Sequence, residues 1–120
     1  MNAIDRAERD ERAGDFGSAK RRMQSYLATV GYSPEICERL ARLSLRMGDP
    51  AEAGRWYFLA DSTDPEAAPS IERFTTECSH NGRHILSRLP AKTRLDALDR
   101  YPAAVRSRFE HFGLRRGIAV

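Results

Sequence analysis

Residues 48–57 read GDPAEAGRWY, and the first six of these letters repeat the pattern of residues 14–19, which read GDFGSA. Glycine, aspartate and alanine recur at the same offsets 34 residues apart, and a third glycine lies a further 34 residues on, at position 82. Fixed periods of roughly 20–50 residues are typical of chains built from stacked copies of one small structural unit. The pattern therefore predicts a helix-turn-helix repeat that turns near Gly14, Gly48 and Gly82.

The segment before Gly48 carries the signals of one complete helix. Ser33 is a favoured N-cap residue, and Pro34 suits the first helical turn. Glycine at position 48 can adopt the left-handed conformation that ends a helix. Between them, apolar residues recur every three or four positions and predict one buried stripe, made of Ile36, Leu40, Leu43 and Met47.

A second helix is predicted directly after Gly48. Asp49 reads as its N-cap, Pro50 as its first residue, and Glu52 as a side chain that reaches back to the cap. Its inward face is expected to consist of Ala53, Trp56, Tyr57 and Ala60. Trp56 and Tyr57 are interpreted as core residues, with recognition of a base or a peptide as the alternative.

The flanking units are less regular. In the first unit, the leading helix has a thin apolar stripe made of Ile4 and Ala7. Its second helix has a fuller stripe, made of Ala19, Met23, Tyr26 and Leu27. In the third, Pro69 is expected to delay a helix carrying Ile71, Phe74 and Cys78, and the next helix ends at Pro90. Thr93 is expected to cap a short helix that ends near Tyr101. A last helix follows Pro102 with Val105, Phe109 and Phe112 on one face and Gly113 as its stop.

These features resemble the tetratricopeptide repeat (TPR), whose helix pair turns at a Gly-Asp-aromatic step, carries a small residue five positions later and often closes at an Asp-Pro, here Asp64-Pro65. The stretch GDPAEAGRW is also similar to one found in a family of small uncharacterised bacterial proteins. The expected fold is all-α, with two clear TPR-like repeats, a degenerate third and C-terminal capping helices. We expect one domain over residues 1–113 and a tail over residues 114–120.

Composition excludes several classes of protein. Hydrophobic residues at 41% and charged residues at 31% are ordinary for a folded chain, and no apolar run approaches the length of a bilayer span. The N-terminus shows no secretory signal, and the two cysteines are expected to be reduced. These features favour a cytoplasmic protein without a membrane partner.

No common catalytic motif is present, so we expect no enzyme and no cofactor. The strongest exception is the segment CSHNGRH, in which Cys78, His80 and His84 lie within seven residues and Cys37 supplies a fourth candidate ligand. A structural zinc site usually pairs its ligands on both sides of a loop, and Cys78 already falls on an apolar stripe. Neither a metal site nor a thiol nucleophile is therefore predicted.

The resemblance to TPR proteins implies that another polypeptide binds in the groove formed by the leading helices. The corresponding solvent-facing residues are Glu35, Glu38, Arg42, Leu45, Arg46, Glu72, Thr76 and His80. Leu45, which the apolar stripe leaves outside, is the expected contact centre. The Lys and Asn set that clamps a C-terminal carboxylate in some TPR proteins is absent. The partner could be a toxin neutralised by an immunity protein or a subunit held by an adaptor.

Nucleic-acid binding is the alternative. Residues 1–66 hold 10 basic and 12 acidic residues, whereas residues 67–120 hold 10 basic and 5 acidic. The net charge of only +3 does not demand such a partner. The residues that would carry this function are Arg83, Arg88, Lys92, Arg94, Arg100, Arg106 and Arg108.

Overall fold

The computed structural model describes residues 2–114, and within them every regular element is helical, which confirms the all-α prediction. The α-helices are α1 Ala3–Arg12, α2 Phe16–Val30, α3 Pro34–Arg46, α4 Pro50–Tyr57, α5 Ala67–Glu77, α6 Gly82–Arg88 and α7 Ala103–His111. Two short 3₁₀ turns, Ala91–Thr93 and Leu98–Arg100, lie between α6 and α7.

Helices α3 and α4 begin at the capping residues that the sequence predicts, and α2 begins at Asp15 in the same way. The Asp15 carboxylate accepts a hydrogen bond from the Ser18 amide at 3.1 Å, and the Ser33 hydroxyl accepts one from Ile36 at 3.3 Å. Asp49 accepts in the same way from the amide of Glu52. Each bond satisfies an N–H group that has no partner within its own helix.

The first two turns and the third differ in how the chain reverses. Gly14 and Gly48 adopt left-handed backbone conformations, with φ of +80° and +75°, so both predicted stops are confirmed. In the third turn the left-handed residues are Ser79 and His80, while Gly82 is the first residue of α6. Asn81 caps α6, so this turn departs from the 34-residue spacing of its counterparts. The glycine at position 82 therefore does not mark an equivalent turn.

Consecutive helices from α1 to α5 pack against one another in chain order. The predicted inward residues of α3 and α4 are buried, except that Met47 is 48% exposed, so its place in the stripe was predicted wrongly. Met47 is the C-cap of α3, with φ of −86° and ψ of 3°. Because α3 ends at the residue before Met47, the helical spacing of the stripe no longer directs the Met47 side chain toward the core.

Gly54 permits a close backbone approach between α4 and α5. A Cβ atom added to Gly54 would lie 1.9 Å from the carbonyl oxygen of Ser70 and 2.8 Å from the Cβ of Phe74. Pro69 does not delay α5, because it occupies the first turn, where the missing N–H group costs no hydrogen bond.

The segment between α6 and α7 differs from its prediction. Instead of a short helix capped by Thr93, the chain makes two 3₁₀ turns. The Tyr101 hydroxyl donates to the carbonyl of Thr93 at 2.5 Å and accepts from the amide of Leu95 at 2.8 Å. This phenol satisfies backbone groups that a regular helix would have paired internally.

Helix α7 packs on the end of α4. Phe109 meets Phe58 edge to face, with ring centroids 5.3 Å apart. Gly113 has φ of +81° and ends α7 as predicted, and the amide of Leu114 donates to the carbonyl of Phe109. Leu114 is half-buried against the core, and the rest of the predicted tail lies outside the described residues.

Glu52 links the first helix pair to the second. Its side chain does not reach back to Asp49 as predicted; its carboxylate instead accepts hydrogen bonds from Lys20 of α2 at 2.8 Å, from Arg55 at 2.8 and 3.1 Å, and from the indole N–H of Trp56 at 3.3 Å. Burial alone would raise the pKa of Glu52, but the bonds from Arg55 and Lys20 outweigh it and lower the pKa to about 2. Glu52 is therefore ionised at neutral pH.

This network predicts a pH-dependent stability. A carboxylate whose pKa is lower in the folded than in the unfolded state stabilises the fold above its unfolded pKa, and this contribution disappears as the pH falls through the folded value. We expect Glu52→Gln to lower the free energy of unfolding at pH 7 by on the order of 2–3 kcal/mol. The difference between variant and wild type should shrink between about pH 4.5 and pH 2 in urea unfolding followed by circular dichroism. A difference that stays constant with pH would contradict the assigned ionisation.

Candidate partner-binding surface

The α3 part of the predicted surface is organised around an ion pair with the linker that follows α4. Arg42 is exposed and donates two hydrogen bonds to Asp64, Nε to Oδ2 at 2.8 Å and Nη2 to Oδ1 at 3.1 Å. Its Nη2 also lies 3.3 Å from Glu38. Arg42 therefore fixes the linker against α3 instead of projecting freely toward a partner.

Tyr57 also binds Asp64 of this linker. Its hydroxyl donates to Oδ2 of Asp64 at 3.0 Å. The Arg42 guanidinium keeps the pKa of Asp64 below its usual value, while burial and the bond to Asp64 raise the pKa of Tyr57. At neutral pH the group is thus an ionised carboxylate between a guanidinium and a neutral phenol.

The α5 part forms a second local cluster. Glu72 Oε1 lies 3.4 Å from the Thr76 hydroxyl and 3.3 Å from His80 Nε2. His80 follows the helix in its left-handed turn, and its ring stacks near that of Phe112 at a centroid distance of 6.5 Å. The three predicted residues of this part therefore share one exposed edge of α5.

Leu45 and Arg46 do not have the predicted surroundings. Leu45 is half-buried and packs against the core, so its interpretation as an exposed contact centre is wrong. The guanidinium of Arg46 lies over the ring of Phe16, 4.6 Å from its centroid, at the start of α2. The exposed large apolar side chains among the described residues are Val30 and Met47.

Two shallow depressions are lined by residues of these parts, one on the α5 side and one on the α3 side of the linker. The larger, about 350 Å³, places Asp64 and Glu72 in one lining with an apolar floor. The smaller, about 200 Å³, combines Glu35 and Glu38 with Asp61. Their complete linings are Ser62, Thr63, Asp64, Ala67, Ala68, Ile71, Glu72 and Arg108 for the larger and Pro34, Glu35, Glu38, Asp61 and Pro102 for the smaller. We call the surface formed by these two depressions the acidic face.

Sequence reasoning missed the linker residues Asp61 and Asp64, and it placed the α7 residue Arg108 only in the candidate nucleic-acid surface. Asp64 was interpreted only as part of the Asp-Pro step that closes a repeat. Arg108 is half-buried at the edge of the larger depression, and its Nη1 donates to the carbonyl oxygens of Tyr57, Phe58 and Ala60 at 3.1, 3.0 and 2.7 Å. Burial lowers its pKa, and the three carbonyls at the end of α4 compensate for that burial.

The predicted arginine surface is reduced by internal contacts of this kind. Arg108 and Arg94 both donate to backbone carbonyls, Arg94 to those of Ser87 and Leu89. Arg100 pairs with Asp96 at 2.6 Å. The cations of the set whose side chains make no such contact with a described residue are Arg83, Arg88, Lys92 and Arg106, which are exposed or half-exposed.

The cysteine and histidine cluster does not converge. Cys78 and Cys37 are buried free thiols; burial raises the pKa of Cys37 to about 12 and raises that of Cys78. His84 is exposed, and His80 is engaged by Glu72. Over residues 2–114 no group of three His, Cys, Asp or Glu side chains is placed to hold a metal ion.

These features define a small all-α protein whose first five helices pack in chain order and whose last helix closes onto α4. The chain belongs to DUF6584, a family of unknown function, whose model matches residues 1–106. This agrees with the expected similarity to an uncharacterised family. No curated protein and no solved structure matches the chain. In the part of the chain described here, no helix has both the length and the apolar character to cross a membrane.

Proposed function

We propose that this protein is a non-catalytic, TPR-like interaction module of the cytoplasm that binds a positively charged segment of another polypeptide on its acidic face. The observation that carries the proposal is the meeting of Glu35, Glu38 and Asp61 around one depression, next to the one lined by Asp64 and Glu72. Glu35 and Asp61 are exposed and form no ion pair with a described residue. They are available to a cationic partner.

The TPR-like arrangement is part of this proposal. It is supported by two successive helix pairs, α1–α2 and α3–α4, that turn at glycines 34 residues apart with matching aspartate caps. In such an arrangement α3 and α5 are leading helices, and each contributes residues to one depression of the acidic face, Glu35 and Glu38 from α3 and Glu72 from α5. A stoichiometric inhibitor, such as an immunity protein, and an adaptor both fit this use.

The interior supports binding over catalysis. The half-buried polar side chains of Glu52 and Arg108 are satisfied by neighbours within the fold, and both cysteines are protonated at neutral pH because of burial. An activated nucleophile would instead require a lowered thiol pKa or an adjacent base.

Charge reversal tests the acidic face. We expect Glu35→Lys and Asp61→Lys each to weaken capture of the partner from a lysate by roughly tenfold, because each replaces an attraction by a repulsion at the contact. Glu110→Lys changes net charge equally, lies on α7 and lines neither depression, so it should capture the partner as wild type does. Captured proteins are identified by mass spectrometry and affinities measured by calorimetry.

The lysate experiment also separates the alternative. With nuclease and at two salt concentrations, a polypeptide partner should remain bound. Nucleic acid that is lost steeply as salt rises would favour the remaining basic residues of the C-terminal half. Equal loss of the partner from all three charge-reversal variants would show that net charge, and not the acidic face, controls binding.

A further inference from the structure

A second concave surface lies between α1 and α2 and has the opposite character. This groove of about 530 Å³ is lined by Ala3, Arg6, Ser18, Arg21, Arg22, Ser25, Tyr26 and Thr29. Its lining contains three guanidinium groups, four hydroxyl groups and no carboxylate. We call it the arginine groove, and it lies outside the two depressions of the acidic face.

The charges of the arginine groove are only partly compensated. Arg22 pairs with Asp10 at 2.5 Å, whereas Arg6 and Arg21 form no ion pair with any described residue. Arg21 donates to the Ser18 hydroxyl at 3.0 Å. Asp15, at the start of α2, has its pKa lowered by hydrogen bonds from Ser18 and then by the charges of Arg21 and Arg22. Asp15 caps α2 and is not part of the lining.

The shape of the groove indicates an extended ligand. From Ser18 to Thr29 the α2 wall rises about 1.5 Å per residue, or about 17 Å in all, which accommodates about five residues of extended chain at about 3.3 Å each. Guanidinium groups bind carboxylates through paired N–H donors, and hydroxyl groups can bind the peptide backbone between them.

We propose that the arginine groove binds an acidic segment of a polypeptide, with carboxylates at Arg6 and Arg21 and a hydrogen bond donated by the Ser25 hydroxyl. The Thr29 hydroxyl donates to the backbone carbonyl of Ser25 at 3.1 Å, so it can only accept a hydrogen bond from the ligand. A short peptide is favoured over nucleic acid because the surrounding part of the chain is acidic. Residues 1–66 hold 12 acidic and 10 basic residues, so a long polyanion would meet repulsion beyond the groove.

The test is a titration of ¹⁵N-labelled protein with acetyl-hexaglutamate amide, followed by amide chemical shifts. We expect saturable shifts concentrated at residues of the groove, with a dissociation constant near or below about 1 mM. Acetyl-hexalysine amide of the same length should leave these amides unchanged. Shifts spread over the whole surface, or none at the groove, would overturn the proposal.

Two variants and one matched control assign the binding. Arg21→Glu and Arg6→Glu change exposed side chains and should each weaken hexaglutamate binding by at least roughly tenfold, while circular dichroism shows an unchanged fold. Arg73→Glu makes the same charge change at an exposed position of α5 and should stay within about twofold of wild type. Binding by both groove variants as tight as wild type would overturn the proposal.

Two further ligands identify the source of the anion. Inorganic phosphate should perturb the same amides more weakly than hexaglutamate, and a twelve-nucleotide oligothymidylate should bind no more tightly than the peptide. Phosphate binding as tight as that of the peptide would show a small-anion site instead. Tighter binding of the oligothymidylate would show a nucleic-acid site.

Discussion

Gly54→Ala is expected to lower the free energy of unfolding by about 3 kcal/mol or more. The added methyl group would sit 1.9 Å from the carbonyl oxygen of Ser70 and 2.5 Å from its carbon. Both atoms belong to the backbone of α5, which cannot give way as a flexible side chain does. The substitution must therefore push α5 away from α4 and disturb the packing of Phe74, which is fully buried at this contact.

Urea unfolding followed by circular dichroism measures this effect, and Gly17→Ala is the matched control. Gly17 is also helical, but a Cβ there meets only the side chain of Arg21, at 3.6 Å. Without a clash, alanine in place of helical glycine should stabilise the protein by roughly 0.5–1 kcal/mol. Opposite signs for the two substitutions are the expected result. If Gly54→Ala were as stable as wild type, the close approach of α4 and α5 would be wrong.

The contrast between these glycines shows which features of the fold could be predicted from sequence. Gly48 ends α3 through its own backbone conformation, and its neighbours Asp49 and Pro50 supply local signals for the next helix. Gly54 is required by a residue 16 positions later, so no local pattern distinguishes it from a poor helix former. Local hydrogen bonding is visible in a sequence, whereas the distance between two helices is not.

At the third turn, the sequence pattern identified a glycine but predicted the wrong structural role for it. Gly82 continues the 34-residue spacing, yet the left-handed positions are Ser79 and His80. A Cβ at Gly82 would lie 2.3 Å from the carbonyl oxygen of Phe112, so a tertiary contact requires this glycine too. A turn does lie near residue 82 as predicted, but Gly82 is not the residue that makes it.

Parts of the acidic face were visible in the sequence. Glu35, Glu38 and Glu72 follow from helical periodicity, because residues opposite an apolar stripe face solvent. Asp61 and Asp64 lie in an irregular linker whose path is set by Arg42 and Tyr57. Leu45 was predicted to be exposed because it lies outside the single apolar stripe of α3. Helices α2 and α4 both pack against α3, so its buried surface is wider than that stripe.

Trp56→Ala should have an effect of similar size, about 3–5 kcal/mol, because it removes a large aromatic side chain that is 2% exposed. It also removes the indole N–H that donates to Glu52, and the ring over which the Arg55 guanidinium lies at 5.1 Å. Small domains are stable by only about 5–15 kcal/mol, so a substantial fraction of the variant is expected to be unfolded in modest urea. Circular dichroism is the required probe, since Trp56 is the chain's one tryptophan.

Two further variants, Trp56→Phe and Met47→Ala, serve as controls for Trp56→Ala. Trp56→Phe keeps most of the apolar volume but loses the bond to Glu52, so it should cost less than Trp56→Ala by about 2 kcal/mol. Met47→Ala truncates a side chain that is 48% exposed and should change stability by no more than about 0.5 kcal/mol. A cost below about 1 kcal/mol for Trp56→Ala would remove Trp56 from the core and return it to the alternative role of recognising a base or a peptide. A large cost makes that role untenable, because a side chain that is only 2% exposed has no face left to offer a ligand.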